Sequence, residues 1–142
     1  NYKYNQINEI MREIRYRGIG IAERKWVFGS LWFDTRNKAT LIWSEELKYW
    51  VRVDPATVGQ YTGLKDEHGK EIYEGDVIRS PLSEDKTRPH RIFYHTGNAA
   101  FMGALVDRKE LCYLRLDQDW IYKFGKEVIG NIHDNPELLK NE

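Results

Sequence analysis

Short apolar runs that alternate with a period of two, each ended by turn formers, dominate this chain and predict strands rather than helices. Trp26 to Phe33 is rich in aromatic side chains, and Gly29 within it marks a bulge or a close backbone approach. Ala39 to Trp43 follows a polar turn, Asp34-Thr35-Arg36-Asn37-Lys38, so the two runs predict a hairpin. Ser44-Glu45-Glu46 reads as a turn or a single helical turn, and Tyr49 to Val53 alternates until Asp54-Pro55 stops it. Further strands are predicted at Val77 to Arg79, Arg91 to His95, Ala99 to Met102, Leu111 to Leu116 and Glu127 to His133, with Ser80 to Pro89 as an exposed loop.

The two ends read differently. Ile7, Ile10, Met11 and Ile14 recur as the stripe of an amphipathic helix with Asn5 as a cap, while Glu13 to Arg17 alternates like a strand with Ile14 and Tyr16 on one side. Residues 1–10 are therefore expected to be a loose or helical leader, and residues 11–142 a single β domain. At the other end Asn135 and Pro136 sit where a helix would take its cap and first residue. With many short strands and no long helical pattern between them, the expected fold is mainly β, a compact antiparallel barrel or sandwich with short helical segments at both ends.

Between two apolar runs lies the most tightly specified stretch, Val58-Gly59-Gln60-Tyr61-Thr62-Gly63-Leu64-Lys65-Asp66-Glu67-His68-Gly69-Lys70-Glu71-Ile72-Tyr73-Glu74-Gly75-Asp76-Val77-Ile78. Asp66 is placed to bond local amides, Gly69 to take positive φ, and Glu74-Gly75-Asp76 to form a second tight turn, with Glu74 in solvent. A phosphate-binding loop would need Ser or Thr after Gly-Lys and a helix beyond it; here Glu71 and a strand-like run follow Gly69-Lys70. Lys65 and Lys70 also face five acids, Asp66, Glu67, Glu71, Glu74 and Asp76, which repel phosphate. Glu74 and Asp76 could divide acid and base work, or simply shape the turn.

Charge and composition narrow the partners. The 142 residues carry 22 basic and 22 acidic side chains, so no net field draws the chain to nucleic acid or an anionic membrane, and self-association meets little repulsion; a homo-oligomer is expected. Apolar residues at 41% and aromatic ones at 13% are enough for a core. Cys112 is the single cysteine, in an apolar run, so no intrachain disulfide or thiolate cage forms; this suits a reducing cytoplasm. No apolar run approaches the roughly 20 residues that span a bilayer, and Asn1 to Asn8 lack the blocks of a secretion signal; no membrane partner is expected. His68, His90, His95 and His133 have no metal-ligand spacing, and Ser30, Ser44, Ser80 and Ser83 lack a nucleophile elbow. No catalytic residue, metal or cofactor is assigned.

The strongest binding signal is basic residues interleaved with rings: Arg15-Tyr16-Arg17, Lys48-Tyr49-Trp50-Val51-Arg52 and Arg88-Pro89-His90-Arg91-Ile92-Phe93-Tyr94. Exposed rings beside cations stack nucleic-acid bases or nucleotides, and the same residue types suit an oligomer interface. The competing reading is plain strand alternation with rings inward and charges outward. Tyr16, Trp26, Trp32, Trp43, Trp50, Arg52, Arg91 and Tyr94 are the candidates for a ligand or partner face.

Three blocks resemble the YopX family of phage and prophage proteins: Arg12-Glu13-Ile14-Arg15-Tyr16-Arg17-Gly18 leading to Trp26-Val27-Phe28-Gly29-Ser30-Leu31, the glycine-rich stretch quoted above, and Val128-Ile129-Gly130-Asn131-Ile132-His133-Asp134-Asn135-Pro136-Glu137-Leu138-Leu139. The resemblance implies a partly closed barrel related to SH3-type barrels and a phage or prophage origin in a bacterial host cell. It supplies no catalytic residues. The expectation is a non-enzymatic accessory protein that binds or oligomerises; the alternatives are a nucleic-acid-binding module, or a small enzyme or nucleotide-sequestering protein.

Overall fold

The computed structural model describes residues 12–81, 88–106 and 113–139; the leader at 1–10 with Ile7, Ile10 and Met11 of its helical stripe, most of the 80–89 loop and Cys112 lie outside the described residues, and Ile14 is exposed and belongs to no helix. The chain forms two compact units, Asn1–Gly63 and Leu64–Glu142.

The first unit carries β1 (Tyr16–Ile19), β2 (Trp26–Asp34), β3 (Ala39–Ser44), β4 (Trp50–Arg52), a 3-10 turn at Pro55–Thr57 and most of β5 (Gly59–Lys65). These strands run antiparallel in the order β4-β3-β2-β1-β5. Alternation turns Val27, Ile42 and Val53 inward, and Tyr16, Leu31, Val51 and Val58 pack against them. Burying each aliphatic side chain of this kind contributes about 1.5–3 kcal/mol. Beyond β4 the chain returns to the end of β1: Gly20 and Val53 form an isolated bridge, Ile21 N–H donates to Arg52 O at 3.0 Å and Asp54 N–H to Ile19 O at 2.9 Å.

The β2–β3 hairpin forms where its polar turn predicted. Asp34 Oδ2 accepts from the Asn37 side chain at 2.8 Å, and Oδ1 accepts from Arg36 N–H at 3.1 Å and Asn37 N–H at 3.3 Å. The Asn37 amide, aided by those two main-chain donors, holds the Asp34 carboxyl below its ordinary value. A depressed carboxylate stabilises the folded turn above its unfolded pKa, and that contribution disappears as pH falls through the lower folded value. Carbon-detected NMR should show Asp34 titrating below an ordinary aspartate, and Asn37→Ala should move it back up; no movement would refute the assignment.

The second unit carries β6 (Glu71–Tyr73), β7 (Asp76–Arg79), β8 (His90–His95), β9 (Ala100–Leu105), β10 (Tyr113–Arg115), α1 (Gln118–Lys123), β11 (Glu127–Asn131) and a 3-10 turn at Pro136–Leu139. Its sheet is antiparallel in the order β10-β9-β8-β7-β11. Ile72, Ile78, Ile92 and Ile121 are its core, with Leu64, Leu116, Trp120 and Val128 around them. Asp117 caps α1 by accepting from Trp120 N–H at 2.8 Å.

The mainly β, antiparallel expectation holds. The strands, however, are divided between two sheets, and no closed barrel forms among the described residues, because each unit gathers its own aliphatic core. At the C-terminal end Leu138 N–H bonds Asn135 O at 3.0 Å, so the segment after Asn135 is a 3-10 turn rather than an α-helix. The helix α1 was not predicted; six residues are too few to display a 3.6-residue period.

Candidate functional site

The acids of the glycine-rich stretch shape its loop. Gly69 takes φ +81° at the turn, which lets Asp66 N–H bond Lys70 O at 2.8 Å and Gly69 N–H bond Asp66 O at 3.0 Å. Asp66 is 2% exposed. Its Oδ1 accepts from His68 N–H at 2.8 Å and Lys70 N–H at 2.9 Å, and its Oδ2 from Val128 N–H at 3.1 Å. Both oxygens are thus committed to main-chain donors. Asp76 is buried as well and accepts from Tyr73 N–H at 2.8 Å. Glu74 is half-buried and not in open solvent as its turn position suggested. Lys70 leads into a strand, so no helix follows this loop as a phosphate-binding loop requires. Among the described residues no three His, Cys, Asp or Glu side chains gather as a metal site.

The sheet of the first unit presents a different surface. Trp43 lies directly across from Trp50, and Leu41 across from both Trp32 and Arg52, so all five share one face. Trp50 stands between the other two indoles, with ring centroids 5.5 Å from Trp32 and 5.6 Å from Trp43. Trp32, Trp43 and Trp50 remain 47%, 36% and 43% exposed. Such tilted and edge-on ring pairs contribute about 0.5–1.5 kcal/mol beyond burial and hold each other rigid. Of the reading with rings inward and charges outward, only the second half holds on these strands: aliphatic residues fill the core, and the indoles sit outside with Arg52.

Comparison with known proteins now settles the family. A family model described as YopX protein matches residues 15–140. The chain belongs to the YopX family. Among solved structures it is similar to the crystal structure of protein EF1440 from Enterococcus faecalis, at 26% identity and a TM-score of 0.59, covering 92% of this chain and 100% of that one. No curated protein matches.

The remaining candidates of this YopX-family chain are dispersed. Tyr16 packs on the aliphatic core of the first unit. Trp26 is on the outer face but lies under the Arg17 guanidinium, 4.5 Å from the ring centroid. Arg91 and Tyr94 belong to the second unit: Arg91 lies 5.3 Å from the Phe93 ring, and Tyr94 meets Phe101 edge-on at 5.3 Å. Residue spacing missed Phe28, which is exposed on the same face as Trp32; its even-numbered position on β2 carried that signal. It also missed a cavity of about 430 Å³ in the first unit, lined by Ile21, Val27, Leu47, Tyr49, Trp50 and Val51. Ile21 and Leu47 stand in turns, where no periodicity exists to flag them.

Proposed function

We propose that this chain is a non-enzymatic phage or prophage accessory protein that works by binding, with the outer aromatic face of its first unit as the contact surface. The stacked and exposed Trp32, Trp43 and Trp50 carry this reading. Leaving three indoles and Phe28 in water on one face is unfavourable unless something covers them. The zero net charge and the Tyr, Trp and Arg content of the face favour a second copy of the chain as that cover. The return of the chain from β4 to the end of β1 supports the partly closed, SH3-like character of this unit. The main-chain commitments of Asp66 and Asp76 support a structural rather than catalytic role for those acids. A cytoplasmic location in the bacterial host belongs to the same proposal, on the strength of the single cysteine; no helix of the described residues is long and apolar enough to cross a membrane.

Analytical ultracentrifugation tests it. The wild type should associate in the micromolar range, and Trp32→Ser with Trp43→Ser should weaken association about tenfold or more while leaving the fold intact. A wild type that stays monomeric at every concentration would sink self-association. Nucleic acid is the second reading, favoured by Arg52 beside the indoles. It predicts that binding of a single-stranded oligonucleotide quenches tryptophan fluorescence and weakens steeply with salt.

A further inference from the structure

We propose that the cavity between the β1–β2 turn and the β3–β4 connection binds a small, flat, uncharged heteroaromatic molecule with a hydrogen-bond donor and an acceptor on one edge. Three observations converge on that class. The volume, about 430 Å³, and the lining by Ile21, Val27, Leu47, Tyr49, Trp50 and Val51 suit a bicyclic ring system rather than an open chain of polar groups. The lining also includes Glu23, Glu46, Lys25 and Arg52; two acids offset two bases, so the opening has no net charge to attract a phosphate or a free cation.

The third observation concerns the main chain. Val53 N–H donates to Thr40 O and Ser44 N–H to Tyr49 O, so residues 49, 51 and 53 direct their peptide groups towards β3. Trp50 and Arg52 therefore direct theirs the other way. Arg52 O is taken by Ile21 N–H at 3.0 Å, and past that bond the chain turns away, with Arg24 N–H closing on Gly20 O. The N–H and C=O of Trp50 are left facing the side where the β1–β2 turn has diverged, which is where the cavity lies. Apolar walls with one main-chain donor and one acceptor form the usual arrangement for orienting a flat heterocycle.

The test is NMR titration of the full chain with four probes: carbostyril, N-methylcarbostyril, adenine and adenosine monophosphate. Carbostyril and adenine should shift the Ile21, Leu47 and Val51 methyls and the Trp50 amide saturably. N-methylcarbostyril, which lacks the edge donor, should bind about tenfold more weakly or worse, and the nucleotide should bind no tighter than adenine. Leu47 is 45% exposed, so Leu47→Glu should keep the fold while weakening both binders by a similar factor. The inference fails if neither carbostyril nor adenine saturates those signals, if methylation has no effect, or if the nucleotide binds tighter. It also fails if the shifts fall on Trp32 and Trp43 instead.

Discussion

Gly29→Ala should destabilise the first unit by about 4 kcal/mol or more, a large share of the 5–15 kcal/mol that holds a typical domain. Gly29 has φ +154°, and a Cβ built there would lie 1.7 Å from the Trp43 carbonyl oxygen and 2.9 Å from its carbon. Both are main-chain atoms, so no rotamer change relieves the overlap. Relief requires separating β2 from β3, the pair that places Ile42 opposite Leu31 and Trp43 opposite Ser30. Urea denaturation followed by tryptophan fluorescence is the natural measurement, because Trp26, Trp32, Trp43 and Trp50 all belong to the first unit. A loss below about 1 kcal/mol would mean the close approach does not govern this hairpin.

Asp66→Ala should cost the second unit about 3–5 kcal/mol, since three main-chain donors lose their buried, charged acceptor and a hydrogen bond to a charged group contributes about 1.5–3 kcal/mol. Two of the donors, from His68 and Lys70, hold the loop, and the third, from Val128, ties it to β11. Asp66→Asn should lose less, because one carbonyl oxygen remains to accept. Amide hydrogen exchange would show the effect residue by residue, with His68, Lys70 and Val128 exchanging faster in Asp66→Ala and less so in Asp66→Asn. Unchanged exchange at Val128 would show that the aspartate does not hold the loop to β11.

Both predictions concern residues whose local chemistry was legible in advance. Gly29 interrupts an aromatic run where only a bulge or a close approach justifies it, and Asp66 with Gly69 has the composition of a tight turn. The Asp34 turn was equally plain. What escaped was short or non-periodic. The helix α1 has fewer than two turns, and Ile21 and Leu47 reach the cavity from turns. The candidate face was legible as a set of residue types but not as a place: Trp32, Trp43, Trp50 and Arg52 come together, whereas Tyr16 enters the core and Arg91 and Tyr94 stand in the other unit.

Alternation and turn chemistry were enough to determine that the chain is antiparallel β, where most hairpins bend, and that the middle acids belong to bends, because these properties depend on neighbours a few residues apart. Only the tertiary structure decided which face of β2, β3 and β4 turns inward and which strands share a sheet. Both faces of those strands are apolar, Val27, Leu31, Ile42 and Val51 on one and Trp26, Phe28, Trp32, Trp43 and Trp50 on the other, so hydrophobicity alone does not choose. Packing chooses: the aliphatic set fits the space closed by Val53 and Val58, and the bulkier indoles are left outside.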